Sequence, residues 1–122
     1  MTRMTNEEIL KVYKGIADLI EAKIPLNIKV SYTLAKDKKL LTPYVEIIET
    51  ERIKIYNKHG TQEDGNIVVA KENIPELEKD IKELMEVNNK VEITKILLSD
   101  FGENEIGIEI LEELMPIIID TV

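Results

Sequence analysis

The sequence predicts an α+β domain that is mainly helical, with three to four helices and a small two- or three-stranded antiparallel sheet. Apolar residues recur at spacings of three and four over several long stretches, which is the period of a helix packed on one side. Two shorter stretches, at residues 67–69 and 91–97, are rich in β-branched or alternating residues instead. A chain of 122 residues has the length of one domain. We therefore predict a single domain over residues 1–122.

The first helix is predicted to begin after Thr5 and to end before Pro25. Glu8 follows Thr5 at the spacing of a capping box, in which two side chains satisfy free backbone N–H groups. Pro25 ends the helix because its ring disfavours helical geometry at the preceding residue. Gly15 weakens a helix by about 1 kcal/mol relative to alanine, so we expect it to mark close packing against a neighbour. The apolar face comprises Ile9, Val12, Tyr13, Ile16, Leu19 and Ile20.

The next stretch, KIPLNIKVSYTLAKDKKLL at residues 23–41, carries two conflicting patterns. Alternation typical of a strand runs from Leu26 to Tyr32, whereas helical spacing relates Val30, Leu34 and Leu41. We predict an extended segment to about residue 30, followed by a helix over residues 31–39.

A further helix is predicted over about residues 43–58. Proline is best tolerated in the first turn of a helix, so Pro43 favours a start here with Thr42 as the cap. A helix that continues from upstream and kinks at Pro43 is the alternative. Gly60, just after His59, is predicted to end the helix in the left-handed conformation.

The second half of the chain predicts short strands around a helix. The turn residues Asp64 and Gly65 lead into a strand at residues 67–69, and we expect its partner to be the strand that starts at residue 91. Between them lies a helix with Asn73 as its cap and Asn88 and Asn89 at its end. Its apolar face comprises Ile74, Leu77, Ile81, Leu84 and Met85.

The C-terminus is predicted to form a short helix over about residues 106–115, which Pro116 ends. The three isoleucines at 117–119 are costly to leave in water, at about 25 cal/mol per Å² of apolar surface. We expect them to dock on the core or on another subunit.

Charge is spread unevenly along this acidic chain, whose net charge is −8. Residues 1–39 carry eight Lys or Arg against five acids, residues 40–71 four against five, and residues 72–122 four against fourteen. The acidic part repels phosphate backbones, so we expect no binding of duplex nucleic acid. The asymmetry is compatible with association between copies, and we expect a homo-oligomer. Solvated faces that serve solubility are the plainer interpretation of the same charges.

Composition also restricts the environment and the chemistry. The chain has no cysteine, which excludes disulfides, zinc–thiolate sites and thiol nucleophiles. It has no apolar run of about 18 residues and no apolar signal-peptide core near its N-terminus. We expect a cytoplasmic protein that enters no membrane and uses no metal or other cofactor.

Groups suited to catalysis are few. His59 is the only histidine, and Ser31 and Ser99 are the only serines, so a catalytic triad would need His59 with one of them. A position at a helix end suits an imidazolium ion, which favours a structural role for His59. The acidic turns at residues 62–66 and 100–105 lack the ligand spacing of an EF-hand. We expect the protein not to be an enzyme.

The lysine-rich segment is the best candidate for a binding site. Lysine amines attract anions, and a tyrosine ring can stack on a base, so the segment suits a small anionic ligand such as a nucleotide. The alternative is a solvated helix face whose lysines extend into water. The candidate ligand-binding residues are Lys29, Tyr32, Lys36, Lys38 and Lys39.

Three segments carry a resemblance to known proteins: IPLNIKVSYTLAKDKKLL, ERIKIYNKHGTQEDGN and VEITKILLSDF. They span most of residues 24–101 and resemble a family of small uncharacterised proteins encoded by phages and prophages of Gram-positive bacteria. The resemblance implies a long helix from Ser31 and transfers no catalytic residue.

The resemblance also directs the functional prediction. We expect a non-enzymatic phage protein that antagonises a process in the host bacterial cytoplasm, by binding a host protein or by sequestering an anionic nucleotide signal of host defence. The alternative is a virion accessory or assembly protein that makes protein–protein contacts.

Overall fold

The computed structural model describes residues 2–102 and 104–119. Its helices are α1 (Asn6–Glu21), α2 (Ile28–His59), α3 (Ile74–Met85) and α4 (Ile108–Leu114). Its strands are β1 (Thr2–Thr5), β2 (Gly60–Glu63), β3 (Asn66–Val69), β4 (Asn88–Val91), β5 (Ile96–Leu97) and β6 (Ile118–Ile119). Short 3-10 turns occupy Lys71–Asn73, Leu98–Phe101 and Met115–Ile117. The prediction of a mainly helical α+β fold is confirmed.

The strands of the described ranges pair in three separate two-stranded sheets. β1 pairs with β4 and β2 with β3, both antiparallel, whereas β5 and β6 are parallel. α1 packs against both α2 and α4, and α2 also packs against α3. The fully buried large apolar side chains between these elements are Met4, Ile9, Ile16, Leu19, Leu41, Ile48, Leu114 and Ile117.

α1 begins as the sequence predicts. The backbone N–H of Glu8 donates to Thr5 Oγ1 at 3.1 Å, and the N–H of Thr5 donates to Glu8 Oε1 at 2.9 Å, which completes the capping box. The predicted face is buried apart from Tyr13, which is half-buried, and Ile20, which is 59% exposed. The close approach expected at Gly15 is also present, because a Cβ there would lie 2.9 Å from Leu114 Cδ2.

The helical pattern prevails in the lysine-rich segment, and the predicted extension to residue 30 is wrong. Asn27 caps α2 by accepting a hydrogen bond from the N–H of Val30 at 2.9 Å through Oδ1. Its Nδ2 also donates to the carbonyl of Asp100 at 2.9 Å, which joins the helix start to the C-terminal part of the chain. Ile28 is 88% exposed while Val30 is buried. One residue of the apparent strand therefore faces water in the first turn of a helix.

Pro43 lies in the interior of α2, so the predicted separation into two helices is wrong. A proline at this position leaves the carbonyl of Lys39 without its helical donor. Both Pro43 and Lys39 lie on the exposed face, where water can serve as that donor. Thr42 does not cap a helix; its Oγ1 donates to the carbonyl of Lys38 at 2.9 Å.

The strand at residues 67–69 pairs with β2 and not with residue 91, so the predicted strand pairing is wrong. Gly60 lies opposite Val69, and Glu63 opposite Asn66. Asp64 and Gly65 form the predicted turn, with φ of 50° and 80°, the positive values of a type I′ hairpin. The strand that ends at Val91 pairs instead with β1.

Gly60 is required for space and not for a left-handed turn. Its φ of −125° is ordinary extended geometry, which corrects the predicted left-handed helix end. A Cβ there would lie 2.7 Å from Ile67 Cγ2 and 2.9 Å from the carbonyl oxygen of Val68. The glycine therefore lets the hairpin turn back directly from the end of α2.

α3 and the C-terminal tail lie where they were predicted, but Ile74 of the predicted apolar face of α3 is exposed and Asn88 and Asn89 belong to β4. Asn73 holds the cap position of α3, although its Nδ2 donates to the carbonyl of His59 at 3.3 Å and makes no capping bond. At the end of the chain, Ile117 is fully buried, and Ile118 and Ile119 pair with Ile96 and Leu97. The isoleucine tail therefore docks on the core of its own chain.

Candidate functional site

Four of the five predicted ligand-binding residues share one exposed face of α2. Lys29, Tyr32, Lys36 and Lys39 are separated by three, four and three residues, which places them along one side of a helix. All four are exposed, and Tyr32 is 69% exposed. We call these four residues the lysine stripe. The opposite side of α2 faces the core through Val30, Leu34, Leu41 and Ile48.

The C-terminal end of the lysine stripe borders an open depression of about 500 Å³. Lys36 and Lys39 line it together with Leu40, Pro43 and Glu92. The depression therefore presents two amines, a small apolar floor and one carboxylate. A complementary ligand carries a negative group toward the lysines and a hydrogen-bond donor toward Glu92.

Lys38 lies apart from the other four candidates. A step of two residues along a helix turns the side chain by about 200°, so Lys38 and Lys36 leave α2 on different sides. The amine of Lys38 is 5.9 Å from the centre of the Tyr13 ring on α1, within the range of a cation–π interaction. Lys38 thus contributes to the packing between the two helices.

Asp37 is a residue of this region that the sequence interpretation missed. It is fully buried, and its Oδ1 accepts a hydrogen bond from the backbone N–H of Thr94 at 2.8 Å. Its Oδ2 has no hydrogen-bond partner among the described residues. Burial raises the pKa of the Asp37 carboxyl, while the Thr94 N–H and the charge of Lys36 act in the opposite direction.

Asp37 positions the segment that carries Glu92. Thr94 lies two residues after Glu92, so the hydrogen bond from Thr94 to Asp37 fixes this segment against α2. A signal for this role was present in the sequence, since Leu34, Asp37 and Leu41 share the spacing of the core-facing side. We identify Asp37 as a positioning residue for the depression.

His59 connects the end of α2 to α3. One of its ring nitrogens, Nε2, lies 2.6 Å from Asp80 Oδ2, and the amine of Lys58 lies 3.4 Å from the same oxygen. The hydrogen bond with His59 is the main cause that lowers the pKa of Asp80, and Lys58 acts in the same direction. This arrangement supports the structural role that the sequence favours for His59.

We expect Asp80→Asn to make the protein less sensitive to acid. A lowered pKa means that the Asp80 carboxylate stabilises the fold above its ordinary pKa of 3.8. This stabilisation is lost as the pH falls through the lowered value. Urea unfolding of both proteins from neutral pH to about pH 3 should show that the free energy of unfolding falls more steeply with pH in the unchanged protein. Glu63→Gln, on an exposed strand, is the control; if Asp80→Asn gives the same slope as this control, the pair with His59 has no stabilising effect.

Neither a metal site nor a membrane-spanning helix is present in residues 2–102 and 104–119. These residues contain no group of three or more His, Cys, Asp or Glu side chains that could hold a metal ion. Among the same residues, no helix combines the length and the apolar character needed to cross a membrane. No protein-family model, curated protein or solved structure matches the chain.

Proposed function

We propose that this protein is a non-enzymatic binding protein that holds a small phosphate-bearing ligand on the lysine stripe. The observation that carries the proposal is geometric: the stripe is exposed along one side of α2, and its last two lysines border the depression beside Glu92. Ammonium groups bind phosphate as point charges and tolerate several ligand geometries. Lysines are therefore suited to a phosphate site on the surface of one helix, where no fixed bidentate contacts are available.

A nucleotide matches the remaining features better than a simple anion. Tyr32 offers an exposed ring on which a base can stack. The Glu92 carboxylate can accept a hydrogen bond from the exocyclic amine of adenine, guanine or cytosine. Free phosphate would contact Lys36 and Lys39 but would leave the Glu92 carboxylate without a hydrogen-bond donor.

The phage resemblance supplies the biological setting of the proposal. In that setting, the ligand is a nucleotide signal of host defence, and the protein sequesters it in the host cytoplasm. Sequestration requires no catalytic group, which agrees with the scarcity of histidine and serine and with the absence of cysteine.

A second candidate function is virion assembly through protein–protein contacts. The apolar C-terminal tail no longer supports it, because these isoleucines pack within their own chain. Its support comes from the outer side of α2, where Ile47 and Ile53 are 62% and 53% exposed. Exposed apolar side chains contribute to a surface that contacts another protein when they belong to one contiguous patch.

The nucleotide proposal is tested by calorimetric titration with a panel of cyclic mono- and dinucleotides. We expect Lys36→Glu to weaken binding by roughly 10- to 100-fold, the effect of losing one hydrogen bond to a charged group. Lys38→Glu is the matched control, since it changes the net charge equally but acts on the side that faces Tyr13. Equal losses in the two variants, or no binding by the unchanged protein at about 1 mM ligand, would refute the proposal.

A further inference from the structure

The exposed side of α2 continues beyond the lysine stripe with the opposite charge. Glu46, Ile47, Thr50 and Glu51 line a second shallow depression of about 300 Å³, next along the helix from Pro43. The two depressions lie on the same side of α2, because residues four apart share one side of a helix. Pro43 of the first depression and Ile47 of the second have this spacing, and so do Lys36 and Leu40 within the first. The first depression is bordered by two lysines and Glu92, whereas the second is bordered by two glutamates.

These charges are arranged almost symmetrically about Pro43. Lys39 lies four residues before Pro43 and Glu46 three residues after it. Lys36 lies seven residues before it and Glu51 eight residues after it. With a rise of about 1.5 Å per residue, each lysine and its matching glutamate are equidistant from Pro43 to within about 1.5 Å. An antiparallel second copy of α2 would therefore place each lysine opposite a glutamate.

The groups involved are available for contacts with another molecule. Among the described side chains, Lys36, Lys39 and Glu46 take part in no ion pair within 4.0 Å. Glu51 pairs with the exposed Lys54 at 3.1 Å, within its own helix. Ile47 is 62% exposed at the centre of the same surface. Its burial would be favourable in an aqueous solution.

From this pattern we infer that the protein forms a twofold-symmetric dimer, in which α2 packs antiparallel to α2 of a second copy with the axis near Pro43. Ile47 of each copy packs beside Leu40 and Pro43 of the other. Lys39 faces Glu46 of the second copy, and Lys36 faces Glu51. A twofold axis repeats each contact, so one self-complementary surface makes four ion pairs.

This inference goes beyond the proposed nucleotide binding, because it also rests on Ile47 and on the two glutamates beyond Pro43. The two are nevertheless linked, because the dimer and the ligand both use Lys36 and Lys39. Exposed ion pairs are individually weak and screened by salt. We therefore expect a dimer that dissociates at low protein concentration or at high ionic strength.

Sedimentation equilibrium on the full chain tests the inference through a charge exchange. Over roughly 10 μM to 1 mM protein at low salt, the unchanged protein should fit a monomer–dimer equilibrium. Lys36→Glu and Glu51→Lys should each raise the dissociation constant about tenfold, because they place like charges opposite one another. The double variant Lys36→Glu/Glu51→Lys should return it to within about threefold of the unchanged value.

Two outcomes would overturn the inference: a monomer throughout this range, or a double variant no better than the single ones. Lys38→Glu serves as the control and should leave the dissociation constant unchanged. The same samples separate this inference from the nucleotide proposal. If the protein is monomeric and loses nucleotide binding on Lys36→Glu, only the dimer inference fails. If the protein is dimeric and binds no nucleotide, only the nucleotide proposal fails.

Discussion

Gly15→Val is expected to lower the free energy of unfolding by about 3 kcal/mol, the upper end of the usual cost of an overpacked core. A Cβ at Gly15 would lie 2.9 Å from Leu114 Cδ2 and 3.0 Å from both Leu114 Cγ and Glu113 Cβ. Leu114 is fully buried, so it has little room to move away. The two further methyl groups of valine would then separate α1 from α4.

Urea unfolding measures this effect, with Gly107→Val as the matched control. Gly107 has an ordinary backbone conformation, and a Cβ there meets no atom within 4 Å. Its substitution meets no neighbour and should cost only about 1 kcal/mol, the usual loss when a favourable N-cap residue is replaced by an apolar one. In a Leu114→Ala background, Gly15→Val should cost less than it does alone, since the Leu114 atoms that valine would meet are gone. Equal costs for the two glycine variants would contradict the close packing of α1 and α4.

The parts of the fold that were predictable are those in which local chemistry and packing agree. α1 has both a capping box and an apolar face, and the structure uses both. The hairpin turn was recognisable because Asp64 and Gly65 tolerate the positive φ that the turn requires. Gly15 is similar: a glycine inside a strong helical pattern indicates a close neighbour, although the sequence does not name Leu114 as that neighbour.

The sequence-based predictions were wrong where contacts with distant parts of the chain decide the local structure. Asn27 starts α2 early, and its side chain also bonds to Asp100, 73 residues away. Pro43 was expected to mark a helix start, but the core contacts of Leu41 and Ile48 on either side hold α2 continuous through it. β4 pairs with β1, whose sequence has no β-branched run that would have identified a strand.

The candidate site also has one part that the local sequence predicts and one part that depends on distant segments of the chain. Helical spacing alone groups Lys29, Tyr32, Lys36 and Lys39 and sets Lys38 apart, so the lysine stripe follows from the sequence once α2 is known to be one helix. Glu92 comes from a segment 53 residues beyond Lys39, and only the tertiary structure brings it there. The hydrogen bond that fixes its position, from Thr94 to Asp37, depends on the same long-range packing.

We expect Asp37→Asn to be more stable than the unchanged protein at pH 7, with an advantage that shrinks as the pH falls toward 4. Burial raises the pKa of folded Asp37 above its ordinary value of 3.8, so the folded chain binds a proton there more readily than the unfolded chain. The cost of the ionised carboxylate is therefore fully present above the raised pKa and disappears as the pH falls below 3.8. Asparagine keeps the acceptor for Thr94 and carries no charge to bury, although its amide nitrogen replaces the unpaired Oδ2 and offsets part of the gain at every pH.

The difference between the two proteins in urea unfolding at each pH is the informative measurement, because the other carboxylates are common to both and cancel. Asp37→Ala removes both the charge and the hydrogen-bond acceptor, whereas Asp37→Asn removes only the charge, so the two variants distinguish these effects. It should be less stable than Asp37→Asn by about 1–3 kcal/mol, since the N–H of Thr94 loses its acceptor. If the difference in the free energy of unfolding between Asp37→Asn and the unchanged protein does not vary with pH, the carboxylate keeps its contact with water. If Asp37→Ala also weakens nucleotide binding more than Asp37→Asn does, the hydrogen bond between residue 37 and Thr94 acts on the ligand through the position of Glu92.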